Sequence, residues 1–220
     1  MSTSVYPHSY YAASINDTRI RHSLQGDHTA DICVVGAGFT GLSTALHLAE
    51  RGFKVIVLEA SRVGFGASGR NGGQIVHSYS RDMDFIERMY GKEVGHKMGA
   101  MAFEGAQVIR RIVSDYDIQC DLKPGGIFAA CNNKQFDELQ SKKALWESYG
   151  HTELSLLDKH QVPDYIGSQR YTGALLDHSS GHLHPLNLVL GEANAVESLG
   201  GMIFENSAVT RIEEGSQPTV

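Results

Sequence analysis

The sequence predicts an α/β fold with a parallel sheet, and three observations support this class. The runs "DICVV" at residues 31–35 and "KVIVLEA" at residues 54–60 are short, apolar and rich in β-branched residues, as buried parallel strands are. Between them, "GLSTALHLAERG" at residues 41–52 has apolar residues at helical spacing and a glycine placed to end a helix. Strand, helix and strand in this order make a βαβ unit. Cys33 lies in the first strand, where we expect a buried thiol.

The composition argues against several classes of partner. The chain of 220 residues has a formal net charge of −6 and no run rich in lysine or arginine, so we expect no nucleic-acid or membrane partner. No uninterrupted apolar segment is long enough for a membrane helix, and the N-terminus lacks the pattern of a secretory signal. We therefore expect a cytoplasmic protein. The three cysteines form no CxxC pair, and we expect neither a disulfide framework nor a metal site.

The remaining segments alternate between helical and strand-like patterns. Helical sequence resumes near Met83, and a longer helix follows whose apolar spacing, with Met98 and Met101, predicts a core-facing side. A Pro-Gly-Gly turn leads into a strand, a helix spans "KQFDELQSKKALWESYG", and "YTGALLD" is a strand. The segment "DHSSGHLHP", with His178, His182 and His184, is predicted as a polar loop rather than a metal site, and a helix begins at Pro185. We expect two short strands in "MIFENSAVTRIEE".

These patterns predict four segments of domain organisation. Residues 1–28 form an N-terminal arm, and residues 29–118 form the first part of a dinucleotide-binding domain. Residues 119–178 are an inserted piece of a second, substrate-binding domain, and residues 179–220 resume the first domain.

The turn after the first strand has the pattern G-x-G-x-x-G, formed by Gly36, Gly38 and Gly41. The first glycine allows the tight turn, the second lets a pyrophosphate approach the backbone, and the third allows close packing of helix and strand. Glu59 ends the next strand, where its carboxylate is placed to accept hydrogen bonds from a ribose. A 2′-phosphate beside this carboxylate is disfavoured, so the motif predicts NAD or FAD rather than NADP. A purely structural strand–turn–helix is the alternative.

A second glycine-rich segment, "SRVGFGASGRNGGQ" at residues 61–74, favours FAD. It follows Glu59 directly and can lie along an extended dinucleotide toward its reactive ring, with Arg70 and Asn71 as hydrogen-bond donors. A flexible surface loop is the alternative. His77, just beyond this segment, is interpreted as a structural residue.

Both glycine segments, together with "YTGALLDHSSGHLHPLNLVLGEANAVESLGG", resemble the D-amino-acid-oxidase-like FAD-dependent oxidoreductases. The resemblance implies a Rossmann-like FAD-binding domain interrupted by an incomplete α+β substrate domain. It implies that Glu59 lies at the adenosine ribose, that Ala60 beside it contacts the cofactor, that Val209 lies at the adenine, and that two further groups of residues contact the cofactor. Those at the pyrophosphate are Gly36, Gly38, Thr40 and Gly41, and those toward the flavin are Ser68, Arg70, Asn71, Gly72, Gly73 and Gln74.

The activity implied by the resemblance is oxidation of an amine carbon–nitrogen bond, with dioxygen as the final electron acceptor. Segments such as "SYYAAS" and "CDLKPGGIFAACNNKQ" favour gamma-glutamylputrescine as the small-molecule amine substrate. Glycine, sarcosine or a D-amino acid is the alternative, as is an FAD-binding fragment without turnover. We assign no catalytic residue. Members of such families are about twice as long, so we expect a fragment that is poorly soluble or binds FAD weakly by itself.

Overall fold

The computed structural model describes residues 5–220, and residues 1–4 of the predicted arm lie outside the described residues. A parallel sheet, an antiparallel sheet and six α-helices in this range confirm the α/β fold class. None of the helices in the described range has the length and apolarity needed to cross a membrane. The helices are α1 Tyr10–Ala13, α2 Phe39–Ala49, α3 Met83–Tyr90, α4 Lys92–Asp115, α5 Asn133–Ser148 and α6 Pro185–Ser198. The strands are β1 Ile32–Val35, β2 Val55–Leu58, β3 Gln74–Ile75, β4 Lys123–Ala130, β5 Leu154–Asp158, β6 Gly173–His182 and β7 Met202–Phe204.

The chain divides into two compact units. The first, which we call the parallel-sheet unit, comprises Met1–Gly73, Ile112–Asp121 and His184–Val220. The second, the antiparallel-sheet unit, comprises Gln74–Arg111 and Leu122–Leu183. The domain boundaries expected from the sequence stay a prediction.

The parallel-sheet unit contains the predicted βαβ arrangement. Its strands lie in the order β1, β2, β7, and all pairs are parallel. All four residues of β2 are buried, whereas one face of α2 is buried through Leu42, Ala45, Leu46 and Ala49. The uninterrupted apolar run of β2 therefore reflects burial on both faces of the sheet.

Two expectations for this unit are wrong. Cys33 is exposed, because β1 is an edge strand whose residues alternate between exposed and half-buried positions. The second strand expected after β7 does not form, and only Glu213 and Thr219 make an isolated bridge. The chain leaves the sheet at Glu205, whose carboxylate turns inward and accepts a hydrogen bond from the Val63 N–H at 2.9 Å.

The antiparallel-sheet unit is organised around β6, which pairs with three other strands. Strand β4 follows β6 from Gly173 to His182, while β5 pairs with the first half of β6 and β3 with its last two residues. The polar segment "DHSSGH", predicted as a loop, is therefore strand. Asp177, Gly181 and His182 pair with neighbouring strands, and this pairing outweighs the polar composition. The predicted Pro-Gly-Gly turn is instead an irregularity within β4, where Gly125 has a φ of +85°.

The expected core-facing side of α4 is wrong for the first half of the helix. Met101 is 64% exposed and Val94 is 40% exposed, whereas Ile112 near the end of the same side is 1% exposed. In the first half, glycines are buried instead: a Cβ atom at Gly95 would lie 2.8 Å from Cβ of Glu87, and one at Gly99 would lie 3.2 Å from an aromatic ring. A count of apolar spacing cannot detect such close approach at glycines.

Helix α6 buries one acidic side chain, Glu192, which is 3% exposed. Its Oε2 atom has no hydrogen-bond partner. Burial raises the pKa of Glu192 from 4.5 to about 8, because desolvation penalises the ionised form. The folded chain therefore binds a proton that the unfolded chain releases between these two pH values.

We predict that the native chain loses stability as pH rises and that the variant Glu192→Gln does not. The folded pKa is raised, so the free energy of unfolding of the native chain falls as pH rises from about 4.5 to about 8 and is level above that. The variant should be more stable than the native chain at pH 8.5, by on the order of a few kcal/mol, with a smaller difference at pH 5.5. Urea unfolding at both pH values measures this, with exposed Glu214→Gln as the control. Equal pH slopes for the native chain and Glu192→Gln would contradict it.

Candidate functional site

Two glycines, Gly36 and Gly38, determine the backbone conformation of the turn between β1 and α2. Gly36 has a φ of +98°, and its N–H donates to the carbonyl of Leu58 at 2.8 Å. Helix α2 begins at Phe39, with Gly38 as its N-cap residue and no side chain at that position to cap the helix. The first turn of α2 therefore presents backbone N–H groups at the end of the parallel sheet, an arrangement that suits an anion.

Gly41 allows the helix to lie against the turn. A Cβ atom at this position would lie 2.0 Å from the carbonyl oxygen of Gly36 and 3.3 Å from Cγ1 of Val34. No side chain fits in this space without moving the helix away from the strand. This is the close packing that the sequence motif predicts for its third glycine.

The second glycine segment meets the helix through Ser68. The Ser68 hydroxyl oxygen accepts a hydrogen bond from the Phe39 N–H at 3.0 Å. A Cβ atom at Gly38 would lie 2.8 Å from that same oxygen. The sequence placed Ser68 farther along the cofactor, toward the flavin, and gave no sign that its hydroxyl group lies at the start of α2.

Glu59 lies beside the turn and binds its backbone. The Oε2 atom accepts from the Ala37 N–H and the Oε1 atom accepts from the Ser61 N–H, each at 2.8 Å. The Ala37 carbonyl in turn accepts from the Gly64 N–H at 2.9 Å. A carboxylate has about four acceptor positions, so the two backbone bonds leave Glu59 able to accept from further donors such as ribose hydroxyls.

The second glycine segment is shaped by its own side chains. Its short 3-10 turn, Ala67–Gly69, packs so closely that a Cβ atom at Gly69 would lie 2.3 Å from the Gly64 carbonyl oxygen. The Asn71 amide donates to the Ser68 carbonyl at 2.8 Å, and its oxygen accepts from the Gly73 N–H at 2.9 Å. Asn71 thus closes the loop, where the sequence suggested a donor for the cofactor. In the same segment, the Arg70 Nε group donates to the Gly66 carbonyl at 3.2 Å, and Gly72 is exposed.

The remaining candidate residues belong to several different elements. Thr40 is exposed in the first turn of α2, and Ala60 is exposed directly after Glu59. Val209 is half-buried in the irregular segment that follows β7. Gln74 begins β3 and belongs to the antiparallel-sheet unit.

Sequence reasoning missed a supporting group under the second glycine segment. Glu205, fully buried, accepts from the N–H groups of Val63 and Arg21, at 2.9 and 3.3 Å. Tyr6 of the arm donates to the Val63 carbonyl at 2.7 Å, and the Arg62 guanidinium lies 4.5 Å from its ring centroid. Burial raises the pKa of Tyr6 to about 12, so this phenol stays a donor at neutral pH. The only sequence signal for Glu205 was an acidic residue next to an apolar strand.

Comparison with known families identifies the fold and its cofactor. The family model described as "FAD dependent oxidoreductase" matches residues 31–220. The chain belongs to this family. The resemblance inferred from the sequence and the prediction of FAD as cofactor are therefore confirmed at the level of the family.

Two curated relatives are similar to nearly the whole of this chain, but the chain covers only about half of each relative. The chain is 55% identical over 212 residues to gamma-glutamylputrescine oxidoreductase of Escherichia coli, covering 96% of this chain and 50% of the relative. It is 44% identical to the probable oxidoreductase OrdL of Haemophilus influenzae, covering 94% of this chain and 48% of that protein. The chain thus spans about half the length of these two relatives.

Solved structures support the fold alone. Glycine oxidase from Geobacillus kaustophilus superposes with a TM-score of 0.66 at 22% identity, covering 85% of this chain and 49% of that chain. L-amino acid deaminase from Proteus vulgaris gives a TM-score of 0.71 at 18% identity, covering 89% of this chain and 44% of that chain.

We predict that Gly41→Ala lowers the melting temperature and weakens FAD binding, because the added methyl group would lie 2.0 Å from the Gly36 carbonyl oxygen. The expected loss of stability is about 2 kcal/mol or more, as for other overpacked sites. Gly66→Ala is the matched control, since a Cβ atom there meets nothing within 4 Å and the residue has a φ of −77°. Equal melting temperatures for the two variants would show that the close approach does not limit stability.

Proposed function

We propose that the protein is an FAD-dependent amine oxidoreductase that oxidises gamma-glutamylputrescine. The observation that carries the proposal is the convergence of the two glycine segments and one carboxylate at the start of α2, in a chain of the FAD dependent oxidoreductase family. The 55% identity to gamma-glutamylputrescine oxidoreductase supports the choice of substrate.

In this proposal the first glycine turn holds the pyrophosphate of FAD. Backbone N–H groups of the α2 start, including those near Gly38, Thr40 and Gly41, donate to phosphate oxygens. The absence of side chains at Gly36 and Gly38 keeps the backbone accessible to an anion. The Ser68 hydroxyl, 3.0 Å from the Phe39 nitrogen, is close enough to join these donors.

The carboxylate of Glu59 binds the adenosine ribose. Its bonds to the Ala37 and Ser61 N–H groups orient it, and the acceptor positions that remain suit a pair of hydroxyl groups. A phosphate on the 2′ position would meet a negative charge here, which favours FAD over a phosphorylated nicotinamide cofactor. The other proposed contacts are Ala60 and Val209 at the adenosine, and Arg70, Asn71, Gly72, Gly73 and Gln74 toward the flavin.

When bound, FAD supplies the two-electron acceptor for oxidation of the carbon–nitrogen bond. The oxidised amine is hydrolysed, so gamma-glutamylputrescine, water and dioxygen give gamma-glutamylaminobutyraldehyde, ammonia and hydrogen peroxide. The chain's own residues bind and orient the cofactor in this proposal, and none of them is assigned to proton transfer. A cytoplasmic location is part of the same proposal.

We predict that Glu59→Gln weakens FAD binding about 10- to 100-fold, because an amide cannot accept both backbone N–H groups and also bind the ribose. Quenching of flavin fluorescence during titration with the chain measures the Kd. Circular dichroism and the melting temperature separate loss of binding from loss of folding. Glu214→Gln, an exposed change in the same unit, is the control and should bind FAD as the native chain does. Unchanged affinity in Glu59→Gln would remove Glu59 from the site.

Substrate choice is tested on the complete polypeptide that the gene encodes. We expect hydrogen peroxide release with gamma-glutamylputrescine at a kcat/KM at least tenfold above that with glycine, sarcosine or D-alanine. Turnover of an α-amino acid instead would reject the proposed substrate and keep an FAD-dependent oxidase. Bound flavin without peroxide from any of these amines would favour a binding module, and a colourless polypeptide that does not bind FAD would reject the whole proposal.

A further inference from the structure

Three chemistry-bearing side chains meet inside the antiparallel-sheet unit. They are His77, shortly after β3; His151, just after α5; and Asp177, in the middle of β6. Their side chains are 1%, 5% and 1% exposed. One potential metal-ligand atom from each lies within 4.8 Å of the other two. The sequence treated His77 as an isolated structural residue, because only the sheet brings the three segments together.

Among the described residues, hydrogen bonds to the Asp177 carboxylate end at its Oδ1 atom and not at Oδ2. Its Oδ1 atom accepts from the N–H groups of Ser179 and Ser180, each at 3.1 Å, and also contacts the Ser179 hydroxyl at 3.0 Å and His151 Nε2 at 3.1 Å. The Oδ2 atom lies 3.6 Å from His77 Nε2, beyond hydrogen-bond distance. The nearby Arg110 guanidinium donates to the Ser180 carbonyl at 2.7 Å rather than to this carboxylate.

The orientation of His77 leaves a nitrogen lone pair facing that carboxylate. Its Nδ1 atom lies 3.3 Å from the Ala102 carbonyl oxygen, which can only accept, so Nδ1 carries the proton. With the Nδ1 proton donated to that carbonyl, Nε2 is the ring nitrogen available to bind a metal ion. It faces Asp177 Oδ2 and lies 2.9 Å from the Ser179 hydroxyl. The same hydroxyl donates to Asp177 Oδ1 at 3.0 Å, so the nitrogen and both carboxylate oxygens lie in one buried cluster.

The spacing of the ligand atoms suits a transition metal ion. Two ligands of a tetrahedral zinc ion, each bound at about 2.0–2.1 Å, are about 3.3 Å apart. His151 Nε2 lies 3.1 Å from Asp177 Oδ1 and His77 Nε2 lies 3.6 Å from Asp177 Oδ2, so each histidine nitrogen is near that distance from one oxygen of the carboxylate. The bond from His77 Nδ1 to a backbone carbonyl is the outer contact that metal-binding histidines usually make.

We propose that His77 Nε2, His151 Nε2 and Asp177 bind one Zn²⁺ ion that stabilises the antiparallel-sheet unit. Two imidazoles and a carboxylate are ordinary zinc ligands, and a bound cation offsets the negative charge of the buried carboxylate. The ion joins β6 to the segment after β3 and to the segment after α5. Because the ligands are buried, zinc enters as the unit folds and leaves slowly afterwards.

The test begins with the native chain, produced without an affinity tag in zinc-supplemented medium and analysed for metals by mass spectrometry. We expect about one zinc ion per chain. Chelation under mildly denaturing conditions should remove it and lower the melting temperature by at least 5 °C, and added Zn²⁺ should restore the original value. Less than 0.1 zinc per chain with no response to Zn²⁺ would overturn the proposal, leaving a proton or hydrogen bonds alone to hold the cluster. Stoichiometric iron or manganese would overturn the choice of ion.

Variants locate the ion. Asp177→Asn and His151→Gln should each lower the zinc content at least tenfold. His178→Gln, the exposed neighbour of Asp177 on β6, is the matched control and should retain zinc. Zinc retained in both cluster variants would place it elsewhere and reject the site. Where a variant fails to fold, the metal content and chelation response of the native chain still decide. No flavin enters these measurements, so their outcome is separate from that of the proposed function.

Discussion

The backbone around Ala37 is the constraint on which the candidate site depends. Its N–H donates to Glu59 and its carbonyl accepts from Gly64, so one buried residue joins the first glycine turn, the end of β2 and the second glycine segment. The arrangement requires α2 to lie against the turn, and Gly41 makes that possible. A single close approach between helix and strand therefore fixes the relative positions of the phosphate-facing backbone, the carboxylate and the Ser68 hydroxyl.

Several side chains that we expected to contact only the cofactor also form hydrogen bonds within the protein. Glu59 accepts two backbone hydrogen bonds, Ser68 accepts one from the start of α2, and Asn71 closes its own loop. Such bonds hold side chains in place before a ligand arrives, which lowers the entropy lost on binding. They also mean that substitutions at these positions affect stability and affinity together, so both quantities have to be measured for each variant.

Local signals in the sequence were sufficient for the βαβ unit and for helices α5 and α6, but not for every element. The G-x-G-x-x-G spacing and the apolar runs predicted β1, α2 and β2, because each of these elements is specified within a few residues. The exposure of Cys33 could not be predicted, since an edge strand has the same composition as a central one. Met101 was misplaced because close approach at Gly95 and Gly99, rather than apolar size, determines the buried face in the first half of α4. The strand at "DHSSGH" required partners distant in the chain, as did the meeting of His77 with Asp177.

The position of β6 in the chain has a consequence for biosynthesis. Strands β3, β4 and β5 are all made before β6, and each of them pairs with it. While the ribosome is still translating the first 172 residues, the sheet of this unit has no central strand to assemble on. The parallel sheet differs, because β1 and β2 can pair as soon as residue 58 has been translated, and β7 adds to β2 later. Strands β3, β4 and β5 consequently stay without their common partner until β6 is made, the condition under which slow folding and dependence on chaperones arise.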